Sequence, residues 1–248
     1  MHSLYFTRHG ETVWNVENKI CGMTDSPLTA RGREQAAALG AHVRDSGVHI
    51  DEILYSPLSR AADTAKAIAA ATGIPARPEP RLREQCFGRY EGTPRDGAEF
   101  KISKTHFADR YSGGESMLQL AQRIYDLLDE LKADEGKTYL LVAHNGIARV
   151  VRSYFCDMTN EEYAAFGIKN CRCRIYLSLV WAGKKAASLT DYETGAVEGT
   201  GSSSRIHCLP EKTFFQVFIF GGTGLSQPGL KAALGNGGCK IAITGQIP

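Results

Sequence analysis

The first 180 residues alternate between short apolar runs and longer stretches in which apolar residues recur at helical spacing. Short apolar runs bounded by turn residues are typical of buried strands, whereas apolar residues three and four apart are typical of helices that cover a sheet. This alternation predicts an α/β fold, a three-layer α/β/α sandwich with a mainly parallel central sheet. The predicted strands cover residues 4–7, 53–55, 139–143 and 175–180, and the predicted helices cover 30–45, 58–71, 116–132 and 145–154, with a further helix beginning after Thr159.

Polar residues stand directly after the predicted strands. Arg8 and His9 follow the first strand, and His144 follows the strand that ends at residue 143. Ligands bind at the carboxyl ends of strands in sheets of this kind, and arginine is a permanent cation that suits phosphate oxygens. The same site could include Arg60, which lies in the first turn of the helix after the second strand. It could also include Glu84, which lies at the base of an irregular stretch over residues 75–112. These residue types indicate phosphoryl transfer.

The composition argues against several other classes of protein. The 248 residues carry 29 basic and 27 acidic side chains, a net charge of +2, so we expect neither nucleic acid nor membrane as a partner. We recognise no signal peptide and no apolar run of about 20 residues that could span a bilayer, and we expect a cytoplasmic protein. The odd number and the scattered positions of the cysteines favour free thiols, and their spacing is not that of a zinc site. They are Cys21, Cys86, Cys156, Cys171, Cys173, Cys208 and Cys239.

The chain resembles the histidine phosphatase superfamily, in the branch that includes cofactor-dependent phosphoglycerate mutase and its phosphatase relatives. The resemblance covers about residues 2–180, and its motifs occur in the family's order. The matching stretches are Arg8-His9-Gly10-Glu11-Thr12 with Asn15, Asp25-Ser26-Pro27-Leu28-Thr29 with Gly32, Ser56-Pro57-Leu58-Ser59-Arg60-Ala61 with Thr64, Leu82-Arg83-Glu84 with Gly88 and Glu91-Gly92, Gly113-Gly114-Glu115-Ser116, and Val142-Ala143-His144.

The resemblance implies a role for each candidate residue. His9 would attack phosphorus and form a phosphohistidine, while Arg8, Arg60 and His144 would hold the phosphoryl oxygens. Glu84 would protonate the leaving alkoxide and then take a proton from water. No metal and no cofactor are expected. The residues expected to contact substrate are Arg8, Asn15, Cys21, Gly22, Arg60 and Asn145.

One position departs from the family pattern. Many relatives have glycine directly after the second histidine, whereas this chain has Asn145. We expect Gly146 to provide the tight turn instead, and the activity to survive.

The segment between the motifs distinguishes two reactions that one site could perform. In mutases the segment over the site is longer and closes around the substrate, whereas residues 93–112, called the cover segment here, form a short lid. A more open site admits water, which favours a phosphatase acting on small phosphorylated metabolites. A phosphoglycerate mutase and a non-catalytic phosphate-binding module are the alternatives. Four basic residues of the cover segment would either attract acidic substrates or form a solvated helix face: Lys101, Lys104, His106 and Arg110.

The last quarter of the chain differs from the rest. We expect residues 1–181 to form the phosphatase domain and residues 182–248, rich in Gly and Ser, to form an appendage that is poorly ordered or foreign to the family. From about Arg172 the sequence fits the family poorly, and a shifted reading frame is one explanation. The oligomeric state is left open, with a homodimer as one alternative.

Overall fold

A computed structural model describes residues 3–134, 136–181, 184–192, 232–235 and 238–241. The chain divides into two compact units, Met1–Glu198 and Gly199–Pro248. In the second unit, the described residues form a two-stranded antiparallel hairpin. Most of the Gly/Ser-rich appendage that we expected at residues 182–248 lies outside the described residues.

A six-stranded sheet forms the centre of the first unit, in the order β3-β2-β4-β1-β5-β6. The first four strands in this order are mutually parallel, and β5 and β6 are antiparallel to their neighbours. The mainly parallel sheet is therefore confirmed. The strands are β1 (Ser3–Arg8), β2 (Glu52–Tyr55), β3 (Ala76–Pro78), β4 (Thr138–Ala143), β5 (Cys173–Trp181) and β6 (Lys184–Tyr192), followed in the second unit by β7 (Ala232–Gly235) and β8 (Gly238–Ile241).

Helices cover both faces of this sheet, as alternating strands and helices require. On β4, Leu141 packs with α5 and α6 on one face, whereas Leu140 and Val142 pack with α2 and α3 on the other. The residues of β4 are buried on both faces, as expected for a central parallel strand. The helices are α1 (Val13–Val16), α2 (Ala30–Asp45), α3 (Ser59–Thr72), α4 (Ala98–Ser103), α5 (Met117–Ala133), α6 (Asn145–Phe155) and α7 (Asn160–Ala165).

Side-chain caps explain why several helices begin where they do. The hydroxyls of Thr29, Ser116 and Thr159 accept hydrogen bonds from the backbone N–H groups of the first turns of α2, α5 and α7. The last two form capping boxes, in which the third helical residue bonds back to the cap. The predicted starts of these helices are confirmed, because the capping residues precede apolar periodicity in the sequence.

The stretch from residue 75 to 112, expected to be irregular, contains short regular elements. They are β3, α4 and two turns of 3₁₀ helix at Pro80–Leu82 and Gly88–Tyr90. Four aromatic side chains stabilise this region by packing edge to face and at tilted angles: Phe87, Tyr90, Phe100 and Tyr111. Sequence periodicity does not detect such short elements, because one or two turns do not establish a repeat. The cover segment is therefore a small packed structure.

The carboxyl ends of β1 and β4 lie side by side. The two strands pair in parallel register, with Arg8 opposite Ala143, and the backbone N–H of His9 donates to the carbonyl of Ala143 at 3.0 Å. The residues that follow each strand, His9 and His144, are therefore brought together by the topology of the sheet.

Candidate active site

His9 is held in one orientation at the end of β1. Its Nδ1 lies 2.7 Å from the carbonyl oxygen of Gly10, so Nδ1 carries the proton and Nε2 keeps its lone pair. The amide of Asn170 donates to the backbone carbonyl of His9 at 2.8 Å. Only 4% of His9 is exposed. The ring is thus a fixed base with Nε2 available for attack.

Burial and neighbouring cations keep this ring neutral. Burial lowers the pKa of His9 well below its ordinary 6.5, and the charges of Arg8 and Arg60 lower the pKa further. A protonated imidazole has no lone pair for attack, so these charges maintain the reactive form at neutral pH.

His144 caps α6 and lies beside His9, with 5.1 Å between the ring centroids. The Nε of Arg60 donates to Nδ1 of His144 at 3.3 Å, so the ring proton is on Nε2, which is 2.7 Å from the hydroxyl of Ser56. Burial, followed by the charge of Arg60, holds the pKa of His144 well below 6.5. A substrate oxygen that takes the place of the Ser56 hydroxyl would therefore accept a hydrogen bond from the Nε2–H of His144.

Arg60 is 1% exposed and joins three parts of the site. Besides His144, its guanidinium donates to the carbonyls of Gly22 at 2.6 Å and Thr24 at 3.0 Å, and to the carboxylate of Asp25 at 3.4 Å. These bonds use four of its five N–H groups. Arg60 therefore orients His144 and the loop of residues 21–25, called the 21–25 loop. Its remaining N–H and its full positive charge are available where a phosphoryl group would bind.

Arg8 has an unsatisfied donor. Its Nη1 donates to the carbonyl of Ile168 at 3.1 Å, but its buried Nε has no hydrogen-bond partner among the described residues. Burial, then the charge of Arg95, lowers the pKa of Arg8 to about 10. A buried donor without a partner is costly, and a phosphoryl oxygen would satisfy it.

The carboxyl group of Glu84 lies at the N-terminus of α6. Its Oε2 accepts from the backbone N–H of Gly146 at 2.9 Å, and its Oε1 accepts from the backbone N–H of Gln85 at 3.0 Å. Glu84 is 6% exposed. These contacts bring it to the same strand ends as His144, in agreement with the predicted site.

Gly146 is needed for a reason other than the predicted tight turn. It lies inside the first turn of α6, and its φ is not positive. A Cβ atom at this position would lie 2.4 Å from Oε1 of Glu84. The expectation of a turn is therefore wrong, because the helix already begins at Asn145; the glycine makes room for Glu84.

Two residues predicted to contact substrate, Asn15 and Asn145, have structural partners as well. The Oδ1 of Asn145 accepts from the backbone N–H of Ile168 at 2.8 Å. The Oδ1 of Asn15 accepts from the backbone N–H of Thr12 and from Asn170, each at 3.2 Å. Asn145 therefore supports the loop before β5, whereas the Nδ2 of Asn15 is left for a ligand.

The other two predicted contacts, Cys21 and Gly22, belong to the 21–25 loop. The carbonyl of Gly22 receives the hydrogen bond from Arg60. The thiol of Cys21 lies 3.4 Å from the carbonyl oxygen of Thr24, and burial raises its pKa. Because burial outweighs the nearby cations, the thiol form is favoured, and Cys21 is not activated as a nucleophile.

Glu91 holds this loop in place. Its two carboxylate oxygens accept from four backbone N–H groups, those of Gly22, Met23, Thr24 and Phe87, at 3.0–3.1 Å. The sequence motif contains Glu91 but does not reveal this role. Ser56 also stands in a motif that does not reveal its contact with His144, whereas Asn170 and Arg95 were missed because no local pattern singles them out.

The basic residues of the cover segment divide into two groups. Lys104 is half-buried, with its Nζ 5.6 Å from the centroid of the Phe100 ring. Lys101, His106 and Arg110 are exposed, and His106 pairs with Asp109 at 3.2 Å. Of the four residues, only Lys104 is too buried to belong to a solvated helix face.

Two features of other kinds of protein are lacking among the described residues. In those ranges, three or more His, Cys, Asp or Glu side chains nowhere gather as they would to hold a metal ion. No described helix combines the length and apolar character needed to cross a membrane.

Comparison with known proteins agrees with this geometry. The family model of the histidine phosphatase superfamily (branch 1) matches residues 4–187, beyond Arg172, where we expected the sequence to depart. A probable phosphoglycerate mutase GpmB of Yersinia pestis (strain Pestoides F) is 35% identical over 180 residues, covering 69% of this chain and 82% of the relative.

Solved structures give the same result. An Escherichia coli protein assigned as an alpha-ribazole-5'-P phosphatase has a TM-score of 0.67 and 26% identity, covering 80% of this chain and 99% of its own. A mycobacterial glucosyl-3-phosphoglycerate phosphatase has a TM-score of 0.63 and 28% identity, covering 72% and 91%. With paired histidines at the ends of β1 and β4 and a family match over most of its length, the chain belongs to branch 1 of the histidine phosphatase superfamily.

Proposed function

We propose that this protein is a metal-independent phosphomonoester hydrolase that acts on small phosphorylated metabolites through a phosphohistidine intermediate. The observation that carries the proposal is the state of His9: a buried, neutral ring with its proton fixed on Nδ1 by Gly10 and its Nε2 available. The cations Arg8 and Arg60 beside it suit the charge of a transferring phosphoryl group.

The first step transfers the phosphoryl group to the enzyme. Nε2 of His9 donates its lone pair to phosphorus, the bond from phosphorus to the ester oxygen breaks, and the leaving alkoxide takes a proton from the carboxyl group of Glu84. The hydrogen bond from Nδ1 to Gly10 stabilises the positive charge that develops on the ring. Arg8, Arg60 and the Nε2–H of His144 contact the phosphoryl oxygens.

The second step releases phosphate. Glu84, now a carboxylate, takes a proton from a water molecule as the water oxygen attacks phosphorus. The bond between phosphorus and Nε2 breaks, and its electron pair returns to His9. Inorganic phosphate leaves, and both residues regain their starting forms. Apart from water, all the groups that this cycle uses belong to the chain itself.

Phosphoglycerate mutase is a second candidate, because a relative that is 35% identical bears that name. The two functions share the first step and differ in whether water or a second substrate hydroxyl receives the phosphoryl group. The phosphatases among the similar solved structures and the short cover segment support hydrolysis.

The test measures phosphate release from a panel of phosphomonoesters in the presence of a chelator. We expect release that disappears in His9→Ala and persists in His106→Ala, a matched change at an exposed histidine. Conversion of 3-phosphoglycerate into 2-phosphoglycerate, stimulated by a bisphosphorylated primer and without net release, would favour the mutase instead. Ligand binding with neither reaction would favour a binding module. A cytoplasmic location and a homodimer stay predictions.

A further inference from the structure

Residues 167–172, which lie between α7 and β5 and are called the return segment here, come back to the end of β1. The backbone N–H of Cys171 donates to the carbonyl of Arg8 at 2.9 Å. The Nη1 of Arg8 in turn donates to the carbonyl of Ile168 at 3.1 Å. The return segment therefore holds the strand residue that directly precedes His9.

One side chain of the return segment contacts two residues of the site. The amide NH₂ of Asn170 donates to the carbonyl of His9 at 2.8 Å and to Oδ1 of Asn15 at 3.2 Å. An asparagine amide has two N–H donors, so both of them are used. A single amide therefore joins the histidine at the end of β1 to the asparagine in α1.

The first contact holds the peptide group between His9 and Gly10. Its carbonyl accepts from Asn170, and its N–H donates to Oγ1 of Thr64 at 3.1 Å. Because a peptide group is planar, bonds at both of its ends fix the orientation of the plane. The carbonyl of Gly10, which accepts from Nδ1 of His9 at 2.7 Å, belongs to the next peptide along the chain. The tautomer of His9 therefore depends on a peptide that Asn170 holds.

The second contact decides which way the amide of Asn15 faces. Its Oδ1 accepts from Asn170 and from the backbone N–H of Thr12, each at 3.2 Å. Turning the amide over would place its NH₂ hydrogens against both of these donors. Nδ2 is therefore kept on the other side of the amide, where it is the donor available to a ligand.

The backbone beside Asn170 adopts an unfavourable conformation. Cys171 has a φ of 53°, in the left-handed region that residues with a side chain seldom adopt. Such conformations persist where surrounding contacts determine them, and they cluster at functional sites. The contacts here are the bond from the N–H of Cys171 to Arg8 and the burial of Cys171, which is 5% exposed. A strained residue thus directly follows the residue that contacts His9 and Asn15.

We propose that Asn170 is a positioning residue that couples the nucleophile to a phosphate-binding amide. It keeps the ring proton of His9 on Nδ1, and it keeps Nδ2 of Asn15 as the donor to a phosphoryl oxygen. This inference rests on the proposed function and adds to it a residue that contacts neither the substrate nor the reacting atoms. The effect of Asn170 on the reaction passes through His9 and Asn15.

A double-mutant cycle tests the coupling to Asn15. Asn170→Leu keeps the size of the side chain and removes both donors. We expect it to lower kcat/KM about tenfold, because a misoriented amide loses about one hydrogen bond to a charged group. In a protein that already carries Asn15→Ala, the same change should lower kcat/KM only about threefold, since the part that acts through Asn15 is already lost.

Two further variants make the cycle decisive. Asn160→Leu, at an exposed asparagine of α7, should leave kcat/KM unchanged in both proteins. Asn170→Asp has the shape of the amide, but an ionised carboxylate cannot donate, so it should show the same non-additivity if leucine prevents folding. Equal losses with and without Asn15→Ala would overturn the coupling to Asn15, because a general loss of structure acts independently of that side chain.

The ring nitrogens of His9 report the other contact without turnover. In ¹⁵N-labelled protein at about pH 7.5, one ring nitrogen should be protonated and the other not, with distinct chemical shifts. Asn170→Leu should move the two shifts toward each other as the tautomers mix. His144 is the internal control, because Arg60 and Ser56 set its tautomer. Unchanged His9 shifts would overturn the control of the tautomer, as would equal changes at both histidines, which indicate general loosening.

The two measurements separate this inference from the proposed function. His9 shifts that respond to Asn170→Leu in a protein that hydrolyses no phosphomonoester would support the positioning role and overturn only the proposed function. Hydrolysis that Asn170→Leu leaves unchanged, together with unchanged His9 shifts, would overturn only the positioning role. The absence of both hydrolysis and a change in the shifts would overturn both.

Discussion

The Oε2 atom of Glu84 lies 2.9 Å from the backbone nitrogen of Gly146, although 62 positions separate the two residues in the chain. The same glycine has no side chain because Oε1 of Glu84 occupies the space where a Cβ would stand. The proposed acid/base is therefore positioned by the helix that His144 caps, so that one helix start orients two members of the site.

Replacing Gly146 by alanine should displace the Glu84 carboxylate. We expect Gly146→Ala to reduce kcat/KM for alkyl phosphates about 100-fold, the lower end of the range for general acid–base catalysis. The loss should be much smaller for 4-nitrophenyl phosphate, whose leaving group needs no proton. Gly97→Ala is the control, since a Cβ there meets its nearest neighbour at 3.4 Å. Equal losses for both kinds of leaving group would contradict this role.

Arg123 should affect the reaction through the segment that carries Glu84. Its guanidinium forms two bonds with the carboxylate of Glu115 and donates to the carbonyls of Arg81 and, at 3.4 Å, of Glu84. Lysine cannot form this forked set of bonds. We expect Arg123→Lys to lower kcat about tenfold with little change in KM, and to show the same leaving-group dependence as Gly146→Ala.

A surface exchange provides the comparison for Arg123. Arg77→Lys alters an ion pair with Glu52 in which Arg77 is 49% exposed, and we expect it to be kinetically silent. If Arg123→Lys lowers kcat equally for good and poor leaving groups, Arg123 stabilises the fold without positioning Glu84.

Glu91 should be important for both stability and activity. Glu91→Gln replaces one carboxylate oxygen with an NH₂ group, which then faces backbone N–H donors of the 21–25 loop or of Phe87. Leaving such donors unsatisfied should lower the free energy of unfolding by about 2 kcal/mol. It should also reduce kcat/KM, because Arg60 binds the Gly22 carbonyl. Chemical denaturation checks the first effect, with Glu17→Gln at an exposed ion pair as the control.

The two buried histidines should make the fold sensitive to mild acid. In the unfolded chain they titrate near pH 6.5, whereas in the folded protein burial and arginines hold both pKa values well below 6.5. Below pH 6.5 the unfolded chain therefore binds more protons, and the free energy of unfolding falls as the pH decreases. Each histidine contributes at most about 1.4 kcal/mol per pH unit.

Denaturation curves between pH 5 and 7.5 measure this slope. His9→Gln should make the slope shallower, whereas His49→Gln, at a side chain that is 82% exposed, should leave it as it is. A slope that His9→Gln does not change would show that the histidine is not buried in its neutral form.

The sequence predicts the parts of the site that lie on regular elements. His9 and His144 follow apolar runs, and because parallel strands align their carboxyl ends, the sequence places both residues at one edge of the sheet. Arg60 follows from the same argument, since its helix begins after β2. Strand and helix patterns are local, so a short stretch of sequence is enough to predict each element.

The parts that depend on contacts between distant segments could not be predicted in this way. The bonds of Asn145 to Ile168, of Glu91 to the 21–25 loop and of Asn170 to His9 join irregular segments. No periodicity governs such segments, so an asparagine expected to bind substrate and one that supports a loop look alike. The resemblance to a family identified Glu84, but not the contact with Gly146 that orients it.

The bond from Asn170 to the carbonyl of His9 joins residues 161 positions apart, and it has a consequence for how the enzyme is made. His9 leaves the ribosome well before its supports on β4 and at Asn170, which lie much further along the chain. At about 5–20 residues per second, the interval is on the order of ten seconds. During translation His9 therefore exists without the groups that orient it, and the proposed hydrolysis has to wait until most of the first unit has been synthesised.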